Sequence, residues 1–176
     1  GQTAPTQSNT SDPVPGLTLG TLAYWALLAF VPSSMMLALT TTIRTAFGAL
    51  PMIWIVPLSL YLLSFVLAFS KKIPFSPRGT IAIGTIGVAV LFAFFTNLFG
   101  EHVSATSTVI AMAAFFLLAI WAHRRLYDAR PAPANLTVFY LTMSIGGALG
   151  GLFNAIIAPV IFHDVYEAQT TLAVAI

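Results

Sequence analysis

Cysteine is absent from this sequence, and charged residues are scarce. The missing cysteines exclude disulfides, thiolate metal sites and cysteine nucleophiles. Only 7% of the 176 residues are charged, whereas soluble domains have about 25%. Hydrophobic residues make up 58%, and the mean hydropathy is +0.92. A soluble core of this size cannot cover so much apolar surface, so the composition predicts a protein embedded in a lipid bilayer. The net charge of +2 gives no reason to expect a nucleic-acid partner.

Five apolar stretches are long enough to cross a membrane, because a ~30 Å hydrocarbon layer needs roughly 20 helical residues. They contain no Asp, Glu, Lys or Arg, and they lack the alternation of barrel strands, so we predict helices. The predicted spans are 22–43, 51–69, 79–98, 105–122 and 136–161, and residue 170 begins a possible sixth.

The predicted fold class is therefore all-α, a polytopic transmembrane helix bundle with about five complete spans and the start of a sixth. Residues 1–20 are rich in Ser, Thr, Pro and Gln, which indicates a flexible polar linker before a transmembrane domain at 21–176.

Basic residues are distributed unequally between the predicted loops. The loops after the second and fourth spans carry six, whereas Arg44 is the only one on the opposite face. Loops rich in Lys and Arg remain in the cytoplasm, so we expect a cytoplasmic N-terminus. The six residues are Lys71, Lys72, Arg78, Arg124, Arg125 and Arg130.

Glycine pairs dominate the middle of the fifth span. Gly146 with Gly150, and Gly147 with Gly151, are each separated by four positions. Such pairs let two membrane helices approach closely. A dinucleotide-binding loop would need a strand before the glycines, whereas here they lie inside an apolar run. We therefore predict a helix-packing face, directed within the chain or toward a partner subunit.

A second group of residues suggests a possible polar cavity. Pro32 interrupts the backbone hydrogen bonds of the first span, and Ser33 and Ser34 follow it. Transporters place broken helices at binding sites near the bilayer midplane. Asn154 follows the glycine face on the fifth span. An ordinary proline-containing helix with an interhelical hydrogen bond is the simpler interpretation of these four residues.

The remaining polar residues indicate little chemistry. His102, His123 and His163 each flank a charged residue at the end of a span, without the spacing of metal ligands, and we interpret them as interfacial. Ionisable residues inside spans normally mark proton or ion pathways, and we identify none. We therefore predict no catalytic residues, no metal, no cofactor and no enzyme activity, with bound membrane lipids as the expected ligands.

Three stretches together suggest a family. They are YWALLAFVPSSMMLALTTTI (Tyr24–Ile43), WIVPLSLYLLSFVLAFS (Trp54–Ser70) and FYLTMSIGGALGGLFNAIIAPVIF (Phe139–Phe162). With "AFVPSS" followed by "GGALGGLFN", they resemble the membrane part of bacterial fused major-facilitator-like transporter/spermidine synthase proteins. The resemblance implies a bacterial inner-membrane location and a fragment without the synthase domain. The nucleotide motif and acidic catalytic residues of that domain have no counterpart here, so no catalytic role carries over.

Three functions remain open at this point. The first is a transporter-like membrane domain for a small solute, such as a polyamine or a related metabolite. The second is a non-catalytic accessory subunit of a larger, energy-transducing membrane complex, in contact with other transmembrane helices or subunits. The third is the membrane anchor of a soluble enzyme domain that lies outside these residues.

Overall fold

The computed structural model describes residues 17–48, 52, 54–70, 76–98 and 103–157, and this part of the chain contains helices and no strand. A 3₁₀ turn precedes the fifth helix, and a π-helical turn follows it. The five α-helices are α1 (Leu19–Phe47), α2 (Ile55–Phe69), α3 (Pro77–Phe95), α4 (Ala105–Asp128) and α5 (Leu136–Leu152).

The predicted all-helical fold is confirmed, and four helices have the length and apolar composition needed to cross a membrane. They are α1, α3, α4 and α5 with its flanking turns. The apolar α2 has 15 residues, about 22 Å at 1.5 Å per residue, and is shorter than a ~30 Å layer. Residues 1–16, Lys71, Lys72, 158–161 and the stretch from 170 lie outside the described residues.

Helix ends follow local chemistry. Thr18 caps α1, because its hydroxyl accepts a hydrogen bond from the Thr21 amide at 3.2 Å. Ser104 and Ser107 form a reciprocal capping box at the start of α4. The other end of α4 lies six residues beyond the predicted limit of 122, since neither glycine nor proline interrupts the chain before Pro131.

The helices alternate in direction along the chain. Gly146 of α5 lies against Ala26 of α1, and Gly150 lies against Phe30, so these two helices are parallel. The numbering runs in opposite senses where α3 meets α4, because Gly84 lies on Trp121 and Gly87 on Ala114. On α2, Ser64 bonds to His123 and Ala68 to Arg124, so α2 is parallel to α4.

This up-and-down arrangement brings four of the six predicted loop cations to one end of the bundle. The start of α3 and the end of α4 lie there, and we call it the basic end. It contains Arg78, Arg124, Arg125 and Arg130. Arg44 lies in the last turn of α1, at the opposite end of the bundle.

Helices α1 and α4 form the centre of the fold. Leu39 and Ile43 of α1 pack with Phe115 of α4 in one buried cluster. Trp25 and Phe139 pack edge to face in a second cluster, with ring centroids 5.0 Å apart. Within the described part, α2 contacts both central helices, α3 contacts only α4, and α5 packs on α1 without reaching α2. The gap between α2 and α5 positions the candidate site.

Candidate functional site

The two glycine pairs of α5 have different surroundings. A Cβ atom added to Gly146 would lie 2.8 Å from the Cα of Ala26, and one added to Gly150 would lie 2.6 Å from the Phe30 carbonyl oxygen. Among the described residues, no atom outside α5 lies within 4 Å of such a position on Gly147. On Gly151 the added carbon would meet Leu37 Cδ1 at 3.6 Å, an ordinary contact. Gly146 and Gly150 therefore permit the close approach of α5 to α1, whereas Gly147 and Gly151 do not limit it.

The four residues of the predicted polar cavity lie together where α1 meets α5. The Ser33 hydroxyl donates to the Gly147 carbonyl at 2.9 Å. Asn154 Nδ2 donates to the Ser34 carbonyl at 2.9 Å and also bonds to the Ser34 hydroxyl. Pro32 and Ser34 are buried. These contacts form a polar seam between two helices, and Ser33 also lines an open space.

That space is a cleft of about 380 Å³ between α2 and α5, with α1 and α4 as its floor. Bulk water occupies about 30 Å³ per molecule, so the cleft has room for about a dozen waters. Among the residues that the structure describes, none that lines the cleft is Asp, Glu, Lys or Arg. Its side chains with polar or polarisable atoms are Ser33, Tyr61, His123, Tyr140, Met143 and Ser144.

His123 corrects the interpretation of the histidines as interfacial. It lies within the extended α4 and is 1% exposed, with Tyr61 and Phe65 edge to face at 5.1 Å each. The prediction placed it outside a span because the apolar run stops at Ala122. The missed signal was the uninterrupted helix after that run, which places the residue about 7 Å inside the helix end at 1.5 Å per residue.

Hydrogen bonding assigns the His123 tautomer. Ser64 Oγ lies 2.7 Å from the Tyr61 carbonyl oxygen and 3.0 Å from His123 Nδ1. A carbonyl oxygen only accepts, so the single hydroxyl proton of Ser64 goes to Tyr61 and its oxygen accepts from Nδ1–H. The other ring nitrogen, Nε2, is then an acceptor, and it has no hydrogen-bond partner within the described residues.

Close packing of α3 on α4 is a further feature that the sequence interpretation missed. A Cβ on Gly87 would lie 2.8 Å from the Ala114 carbonyl oxygen, and one on Gly84 would meet the Trp121 ring at 2.5 Å. The signal was available, because Thr80, Gly84, Gly87 and Leu91 recur at helical spacing and are all buried.

Within the described residues, no group of three His, Cys, Asp or Glu side chains is placed to hold a metal ion. Comparisons of the chain with protein-family models, with curated proteins and with solved structures found no significant match. The resemblance to the transporter/spermidine synthase family therefore stays a prediction.

Proposed function

We propose that this chain is a transporter-like integral membrane domain that binds a small, uncharged solute in the cleft between α2 and α5. The observation that carries the proposal is His123, a buried side chain that lines the cleft and has a ring nitrogen free to accept a hydrogen bond. The ring then has one acceptor, Nε2, and a ligand in the cleft that donates to it completes the hydrogen bonding of the imidazole.

The other polar atoms of the cleft favour the same kind of ligand. The Ser33 hydroxyl donates to Gly147, and the Ser144 hydroxyl donates to the Tyr140 carbonyl at 2.9 Å. A serine hydroxyl has one proton and two lone pairs, so both oxygens can still accept. Together with Nε2 of His123, they present three acceptors, which suit a solute with O–H or N–H donors.

The charges around the cleft argue against a polyamine. A bound polyamine would carry several positive charges, and a desolvated charge is costly without an opposite partner. Among the described residues, none that lines the cleft has a carboxylate. Arg124, which follows His123 along α4, already pairs with Asp128 and offers a cation no counterion. Small amides, alcohols and heterocycles with N–H groups fit better.

A binding screen in lipid nanodiscs tests this proposal. The panel contains neutral amides, alcohols and N–H heterocycles, together with carboxylates and diamines of matched size. A ligand at 100 times its Kd stabilises a protein by about 2.7 kcal/mol, which is readily measured as a rise in Tm. We expect neutral donors to raise Tm, and the His123→Phe variant to lose this response while its ring remains packed against Tyr61 and Phe65.

A matched pair of hydroxyl deletions separates the cleft from the rest of the helix. Both the Ser144 and Thr142 hydroxyls donate to the carbonyl four residues earlier on α5, but only Ser144 lines the cleft. Ser144→Ala should weaken solute binding, and Thr142→Val should leave it unchanged. Equal effects of the two variants, or binding restricted to diamines, would contradict the proposal. Uptake of the identified solute into proteoliposomes then tests transport.

The membrane arrangement belongs to the same proposal. We infer that α2 completes a fifth span with the residues before it, and that the protein resides in a bacterial inner membrane with its basic end in the cytoplasm. The clustering of Arg78, Arg124, Arg125 and Arg130 at one end supports this orientation.

A role as an accessory subunit is the second candidate, and a specific observation favours it. Leu141, Ile145, Leu149 and Leu152 of α5 recur at helical spacing and are each about half exposed. This stripe would suit contact with another transmembrane helix. Mild-detergent purification followed by intact-complex mass measurement tests it, because co-purification of one stoichiometric partner supports the role and recovery of the chain alone contradicts it.

A further inference from the structure

A groove follows the surface of α3 where this helix meets α4, and it shares no lining residue with the cleft. Its volume is about 490 Å³. Ile81, Thr85, Val88 and Phe92 of α3 form one side, and Trp121 and Arg125 of α4 lie along the other. The first four recur at intervals of four and three residues, which is the spacing of a single helix face. We call this feature the α3–α4 groove.

The groove exists because Gly84 has no side chain. The Trp121 indole lies directly on the backbone of α3 at this point, and a Cβ would meet its Cδ1 atom at 2.5 Å. The aromatic ring therefore forms the α4 side of the groove, facing the side chains of α3. Ala89, another small lining residue, keeps the groove open farther along α3.

Two arginines lie toward one end of the groove, and one of them, Arg125, lines it. Arg125 follows Trp121 by one turn of α4. Arg78 precedes Ile81 by three residues, on the same face of α3, and the antiparallel packing places both arginines at the basic end. Within the described ranges, neither of these two side chains forms a hydrogen bond or an ion pair. The ion pair at the basic end joins Arg124 to Asp128.

The length of the groove matches one lipid chain. Eleven residue steps separate Ile81 from Phe92, which is about 16 Å along a helix at 1.5 Å per residue. One leaflet provides about half of a ~30 Å hydrocarbon layer. The apolar surface therefore begins about one turn from the basic end and is about as long as one leaflet is thick, as an acyl chain is.

We propose that the α3–α4 groove binds one anionic phospholipid. An acyl chain lies along Ile81, Thr85, Val88 and Phe92, and the phosphate lies at the guanidinium groups of Arg125 and Arg78. Trp121 is placed below the headgroup, where the amphipathic indole is favoured. Charge complementarity decides between occupants, because a packed transmembrane helix would leave two cations at the groove end without an anion, and a phospholipid supplies one.

The proposal is tested by reconstituting the full chain into nanodiscs of phosphatidylcholine with graded amounts of phosphatidylglycerol. Native mass spectrometry then counts the lipids that remain bound after release of the disc. Each basic residue near an anionic surface contributes about fivefold in affinity. We expect retention of one phosphatidylglycerol, about fivefold weaker retention in Arg78→Gln or Arg125→Gln, and about 25-fold weaker retention in the double variant. The charge-preserving Arg125→Lys should keep most of it.

Control variants distinguish this site from general attraction to the basic end. Arg130 lies at the same end, but its guanidinium stacks on the Tyr127 ring at 3.9 Å and does not line the groove. Arg130→Gln should therefore leave retention unchanged. Ala89→Phe fills the groove and should displace the acyl chain, whereas Ala113→Phe adds the same side chain at an exposed position of α4 outside the groove.

Three results would overturn the proposal. The first is equal retention of phosphatidylcholine and phosphatidylglycerol. The second is an equal loss in Arg130→Gln and Arg125→Gln. The third is unchanged retention in Ala89→Phe. Because Arg78 is exposed, its substitution leaves the packed core intact, and the test does not depend on a variant that fails to fold. The proposal does not rest on the solute cleft.

Discussion

Adding a single methyl group should destabilise the protein at two of the four α5 glycines and not at the other two. At Gly146 the new Cβ would lie 2.8 Å from the Ala26 Cα and closer still to the Ala26 carbonyl oxygen, both of them backbone atoms that cannot rotate away. Overpacking of this kind costs about 1–3 kcal/mol. The higher helix propensity of alanine returns at most about 1 kcal/mol, so the net change is unfavourable.

Polar contacts increase this cost. If α5 moves outward to accommodate the methyl group, the bonds from Ser33 to Gly147 and from Asn154 to Ser34 lengthen. Interhelical hydrogen bonds in membranes average about 0.6 kcal/mol each. We therefore expect Gly146→Ala to lower the free energy of unfolding by about 2 kcal/mol, and Gly150→Ala to behave similarly.

The matched control is Gly147→Ala, because the new methyl group would meet no atom of the described residues outside α5 within 4 Å. Its effect should range from zero to a gain of about 1 kcal/mol from helix propensity. Reversible unfolding in mixed micelles with increasing sodium dodecyl sulfate measures the differences. Equal destabilisation by Gly146→Ala and Gly147→Ala would refute the assignment of one glycine pair to the α1 contact.

Three further predictions concern other parts of the molecule. Gly87→Ala should cost about 1–3 kcal/mol of unfolding free energy by the same overpacking, measured in the same micelles. Ser64→Ala should cost about 1–3 kcal/mol because the buried Nδ1–H of His123 loses its acceptor, and the loss should shrink when His123→Phe is added in a double-mutant cycle. Since the chain lacks cysteine, single Arg130→Cys and Thr45→Cys variants should react with a membrane-impermeant maleimide from opposite sides of the membrane. Arg130→Cys should be labelled only after the cytoplasmic side is opened. Labelling of both variants from one side would contradict the helix directions.

Helix positions could be predicted from the sequence because bilayer-spanning segments have a strong compositional signal. The predicted spans at 22–43, 79–98 and 105–122 overlap α1, α3 and α4. Hydropathy follows side chains, however, whereas helices end where the backbone loses its hydrogen bonds. Helix α4 therefore continues through His123, Arg124 and Arg125, and an apolarity criterion stops before them.

The contents of the candidate site were less predictable. Ser33 was identified through its position beside Pro32, but His123, Tyr61 and Ser144 were not. No local pattern links these residues, because they lie on three different helices and meet only when the bundle forms. The glycine run indicated close packing without indicating its direction. The distinction between Gly146 and Gly147 depends on the rotation of α5 about its axis, which the positions of α1 determine.

Close helix contacts and open recesses have a common origin in this bundle. Gly146 and Gly150 draw α5 against α1, and α5 does not reach α2, so a cleft remains between α2 and α5. The Ser33 bond to Gly147 crosses the same contact and fixes an acceptor in the cleft. Gly150→Ala should therefore weaken solute binding as well as stability, because it separates the helices that carry the acceptors. Ser144→Ala removes one acceptor from an exposed position without changing that contact, so it should reduce binding while the free energy of unfolding stays nearly constant. If Ser144→Ala lowered both solute binding and the free energy of unfolding, as Gly150→Ala should, the cleft would contribute to folding alone.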